Sequence, residues 1–68
     1  MYMYKLEVEL RSRTIHVILM AEQDAQAFDY LEEHLVRHFT PTPEVIGASI
    51  LDKKRAVKGA GYVIAPKV

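Results

Sequence analysis

Apolar and polar residues alternate from Tyr2 to Arg11. Tyr2, Tyr4, Leu6, Val8 and Leu10 fall on one side, and Met3, Lys5, Glu7, Glu9 and Arg11 on the other. A period of two is that of a β-strand buried on one face. Ser12 marks a turn, and Thr14 to Met20 reads as a second strand rich in β-branched residues. Ile15, Val17 and Leu19 continue the apolar side, while Thr14, His16, Ile18 and Met20 take the other. So short a turn joins the two strands as an antiparallel hairpin.

After Ala21 the period changes. Phe28, Leu31, Leu35 and Phe39 recur at steps of three and four, the stripe of a helix with one buried face. Glu22 and Asp24 open this segment and Arg37 and His38 close it, which suits the helix dipole. The helix is predicted from about Glu22 to about Phe39, where Thr40-Pro41-Thr42-Pro43 stops it. Glu44 to Asp52 is apolar on both faces and reads as a third strand, interrupted by Gly47. Lys53 to Gly61 reads as a basic, glycine-bearing loop, and Tyr62 to Pro66 as a short fourth strand.

The predicted fold is α+β with element order ββαββ: a four-stranded, mainly antiparallel sheet with one helix packed on one face, in a single domain of residues 1–68. The predicted core is Tyr4, Leu6, Val8, Leu10, Ile15, Val17, Leu19, Phe28, Leu31, Leu35, Phe39, Ile46, Ile50 and Ile64. One helix covers one face only. The other carries Lys5, Glu7, Glu9, His16, Ile18 and Met20; it is mixed, with an apolar portion, and His16, Ile18 and Met20 are the predicted interface.

Composition sharpens this picture. A chain of 68 residues buries only about 60% of the surface its unfolded form exposes. Small domains commonly rely on disulfides, a metal or a partner chain for extra stability. There is no cysteine, which removes disulfides, thiolate zinc sites and cysteine nucleophiles. A homodimer is the expected remedy. Nine basic residues balance nine acidic ones, so general coating of nucleic acid by a basic body is not expected. The start has no basic segment followed by an apolar stretch, and no apolar run approaches the roughly 20 residues that span a bilayer. A cytoplasmic protein with no membrane partner is expected.

Candidate chemistry is sparse. His34 and His38 have the i, i+4 spacing that can hold a metal, but His16 belongs to the opposite sheet face and no third ligand stands out. Ser12 and Ser49 lack an evident base, and Glu7 and Glu9 share a strand face with no pocket to shift them. The strand-to-helix join, Met20-Ala21-Glu22, has no glycines to cradle phosphate. No enzyme activity, cofactor or metal is expected.

Two strings suit nucleic acid. Lys53, Lys54, Arg55 and Lys58 form a dense basic run that could reach phosphates. Lys58-Gly59-Ala60-Gly61-Tyr62-Val63 partly resembles the first ribonucleoprotein motif of RNA-recognition domains, in which aromatic residues stack on bases. Ala60 and Ala65 stand where that motif has aromatics. The alternative function is thus a small RNA-associated accessory protein using Lys53, Lys54, Arg55, Lys58 and Tyr62. The first function is a non-enzymatic protein-interaction module that works as a homodimer or binds another protein.

The whole chain also resembles a known family. Tyr4-Lys5-Leu6-Glu7-Val8, an acidic and alanine-bearing helix, Pro43-Glu44-Val45-Ile46, Asp52-Lys53-Lys54-Arg55 and Lys58 to Ile64 occur in that order. This is similar to a family of short, functionally uncharacterised proteins, a domain of unknown function, from Bacillus-like Gram-positive bacteria. The resemblance implies a cytoplasmic stand-alone protein and carries no assigned activity or site residues.

Overall fold

The computed structural model describes residues 1–65. Its elements are β1 (Tyr2–Leu10), β2 (Thr14–Ala21), α1 (Asp24–His38) and β3 (Val45–Arg55). The strands form one antiparallel sheet in the order β2-β1-β3. Among the described residues the sheet therefore has three strands, not the predicted four.

β1 is central because its alternation is the cleanest in the chain. Tyr4, Leu6 and Val8 have no exposed surface. They project to the side where Ala27, Leu31 and Leu35 of α1 meet them, together with Leu10, Leu19 and Ala21. β1 and β2 pair without a break from Tyr2 opposite Ala21 to Glu9 opposite Thr14, and Leu10 N–H donates to the Arg13 carbonyl to close the hairpin. Directly opposed residues share a face. Leu6 thus lines up with Val17 and Ile50 on the helix side, and Lys5 with Ile18 and Asp52 on the other.

Gln23 at the helix start makes no side-chain cap hydrogen bond, and the residue before it is held instead from inside the helix. Gln26 Oε1 accepts from the Glu22 N–H at 2.7 Å, a reach-back from the first turn. It ends at His38, with the Phe39 N–H still donating to the Leu35 carbonyl, and the prolines prevent another turn. Its buried line is Ala27, Leu31 and Leu35, not one running through Phe28, which is 38% exposed. Ala27, next to Phe28 in the chain, takes the buried place in the core cluster with Tyr4. Grooves flank the helix on both sides. One lies towards β2 beside Ile15, Val17, His34 and Phe39, the other towards β3 beside Phe28, Val45 and Ala48. The helix makes its closest backbone approach to β2, the strand it follows.

β3 departs most from expectation. It extends to Arg55, so Lys53, Lys54 and Arg55 lie on a strand and not in a loop. Its pairing with β1 slips twice, between Lys5 and Leu6 and between Glu9 and Leu10, leaving Leu51 and Ile46 without partners. Such bulges admit an extra residue and bend the strand. Ile46 accordingly ends up exposed, outside the core.

The predicted fourth strand does not form over Tyr62–Ala65; Pro66 lies outside the described residues. A turn follows β3, in which the Ala60 N–H donates to the Val57 carbonyl and Gly59 takes a φ of +87°. The chain then returns against the sheet face opposite the helix. Tyr62 donates to the Met3 carbonyl at 2.8 Å, and Lys54 Nζ donates to the Gly61 carbonyl at 2.8 Å. These anchors draw the segment onto the face, away from the bulged outer edge of β3. Ile64 therefore stays out of the core, and Val63 is 88% exposed.

Candidate interaction site

Three of the residues predicted to grip nucleic acid, Lys53, Lys54 and Tyr62, are held in two separate clusters of intramolecular contacts. Lys53, opposite Tyr4 in the register, points to the helix side. Its ammonium donates to Asp24 Oδ1 at 3.1 Å, and the same oxygen accepts from the Tyr4 hydroxyl at 2.8 Å. The ammonium also lies 4.7 Å from the centre of the Tyr2 ring and 5.7 Å from that of Tyr4. This cluster ties the first residue of the helix to β1 and β3.

Its titration follows from those contacts. The hydrogen bonds from Tyr4 and then Lys53 hold the Asp24 carboxyl below its usual range. Burial, and next the bond to Asp24, push the Tyr4 hydroxyl up. The bond to Asp24 raises Lys53.

Lys54 faces the other side of the sheet, with its ammonium 4.2 Å from the centre of the Tyr62 ring. The ring is thus capped by a cation, and burial, with nearby Asp52, raises its hydroxyl pKa. Arg55 and Lys58 are exposed at the end of β3 and in the turn beyond it. The four basic residues therefore do not form one surface.

His16, Ile18 and Met20 occupy the face away from the helix, on the outer strand β2. Ile18 and Met20 are exposed. His16 Nε2 lies 3.6 Å from a Glu7 oxygen on the adjacent strand. Around the edge of β2, a cleft of about 520 Å³ is lined by Ile15 and Val17 with Arg13, His34, His38 and Phe39. His16 borders that cleft too, so the three histidines approach one edge of the sheet from both sides. Among the described residues, no group of three or more His, Asp or Glu is placed to hold a metal ion, and no helix is long and apolar enough to cross a membrane.

Two features were not visible from spacing. The Asp24–Tyr4–Lys53 cluster joins residues far apart in the chain, with no local signature. The unbroken outer edge of β2 emerges only once β1 is known to be central.

The fold defines a small α+β protein, a three-stranded antiparallel sheet under one helix, with apolar residues left exposed on sheet and edges. The chain belongs to DUF3906, a family described as proteins of unknown function, whose model matches residues 1–64. No curated protein and no solved structure matches the chain.

Proposed function

We propose that this protein is a small non-enzymatic interaction module that works as a homodimer. The observation that carries this reading is the incomplete cover of the sheet: one helix protects one face, while Ile18 and Met20 stay exposed on the other beside an open strand edge. Exposed apolar surface bordering unpaired backbone is stabilised when another chain covers it. The chain's length points the same way, because a core of this size leaves little stability in reserve. Nucleic-acid binding is the weaker reading: Lys53 and Lys54 would each have to leave an internal partner to reach phosphate. Sedimentation equilibrium over a wide concentration range tests the proposal. A monomer–dimer equilibrium is expected, and a monomer at every concentration would overturn it.

A further inference from the structure

The sheet has two outer strands, and they differ in how well their edges are defended. β3 carries two bulges and the charged run Asp52, Lys53, Lys54 and Arg55. Bulges and edge lysines are the devices that keep strand edges from pairing with other chains. β2 has none of them. Its eight residues contain no Asp, Glu, Lys, Arg or Pro, and its ladder with β1 runs unbroken to Ala21.

We infer that β2 is the seam of the homodimer: a second copy adds its own β2 antiparallel, fusing two three-stranded sheets into one of six strands. This rests on the homodimeric reading above. The occupant follows from what the edge demands. An added strand must lie beside Ile15, Val17 and Leu19 on the helix side and beside Ile18 and Met20 on the other, so charges on either face would be poorly placed. β3 fails that requirement, β1 is already paired on both edges, and β2 meets it.

Symmetry then sets the register. Two identical strands pair antiparallel across a two-fold axis only when the axis is normal to the sheet, which puts both helices on the same side. Facing residues must share a side, so one residue faces its own copy. Ile18 opposite Ile18 brings the exposed isoleucines together, with His16 facing Met20 and Val17 facing Leu19. No like charges meet along this ladder at neutral pH.

The cleft beside Ile15, Val17, His34 and His38 becomes half of a trough between the helices.

The test uses the full chain in sedimentation velocity, with Ile18→Lys and, as comparator, Leu51→Lys on β3. Ile18 is 38% exposed and Leu51 48%, and circular dichroism checks that both variants fold. The expected result is a dimer for the unaltered chain and for Leu51→Lys, and dimerisation weakened at least 100-fold for Ile18→Lys. As an independent arm, Ile18→Cys provides a single thiol, since the chain has no cysteine. A short bis-maleimide is expected to link two copies through it and to leave Leu51→Cys unlinked. If the unaltered chain dimerises but Ile18→Lys does so equally well and Ile18→Cys does not cross-link, the seam lies elsewhere; the edge assignment falls while the homodimer stands. A monomeric unaltered chain overturns both.

Discussion

Replacing Leu6 with alanine tests whether the core is organised around β1. Leu6 is fully buried, with Val17 opposite on one neighbour and Ile50 on the other. Truncation removes most of an aliphatic side chain from a site closed by strands on both sides and by the helix above. Such a site collapses poorly, so lost transfer energy and a residual cavity add, and buried Leu→Ala changes cost about 2–5 kcal/mol. We take about 3 kcal/mol as the working figure. At ~0.05–0.15 kcal/mol per residue, a chain of 68 residues has a total stability of roughly 3–10 kcal/mol. The substitution therefore removes about 30% of the stability or more. For a domain of this size each kcal/mol moves the melting temperature by about 4–8 °C, so a fall of about 12–24 °C is expected. Urea titration followed by far-ultraviolet circular dichroism measures it. The titration is repeated at several protein concentrations, because dimerisation makes the midpoint concentration-dependent. Val63→Ala, at a residue 88% exposed, is the control and should stay within about 0.5 kcal/mol of the parent. A cost below about 1 kcal/mol for Leu6→Ala, or an equal cost for Val63→Ala, would refute the placement of the core.

Asp24→Asn should flatten the acid limb of the stability profile. The Asp24 pKa is lowered in the fold, so its contribution is present above the ordinary carboxylate pKa and lost as pH falls through the depressed value. At the alkaline end, Tyr4 and Lys53 are raised. Their contributions are complete below their ordinary pKa values and disappear as pH climbs through the raised ones. Urea midpoints of parent and variant between acid and alkaline extremes check this; parallel profiles would show that the cluster is not coupled to folding. Tyr62→Phe removes the bond to the Met3 carbonyl and should speed amide hydrogen exchange at residues 60–64 while leaving that of β1 unchanged. Gly59→Ala places a side chain at a φ of +87° with open space around it and should cost about 1–2 kcal/mol of local turn stability through backbone strain alone, read as faster exchange of the Ala60 amide. Gly61→Ala, equally unobstructed but without a positive φ, should exchange at the parental rate. Replacing Lys53, Lys54, Arg55 and Lys58 with glutamine should leave anisotropy titrations against single-stranded RNA unchanged; a large loss of affinity would restore the nucleic-acid reading.

Period alone determined much of this protein. The alternation from Tyr2 to Leu10 identifies a strand with Tyr4, Leu6, Val8 and Leu10 inward, because opposite faces of a strand meet different solvents and residue type must follow. The hairpin, the helix and its stop at the prolines are local events, encoded by neighbouring residues. Placement of His16, Ile18 and Met20 away from the helix follows from the same parity. The third strand was legible in position but not in length or register. Its two bulges depend on how β3 meets β1, and a bulge moves Ile46 to the surface without altering its hydrophobicity.

Tertiary structure alone decided the rest. Tyr62-Val63-Ile64 has strand composition, yet it lies on the sheet's face because Met3 offers a carbonyl and Lys54 a cation there. Lys53, Lys54 and Arg55 read as one basic loop. On a strand, successive side chains point to opposite faces, so Lys53 goes to Asp24 while Lys54 goes to Tyr62. Phe28 and Ala27 are adjacent, and which of them is buried depends on how the helix is rotated above Tyr4. Local sequence settles the period of each element. Register, rotation and the partners of long polar side chains depend on atoms that come together only after the chain has folded.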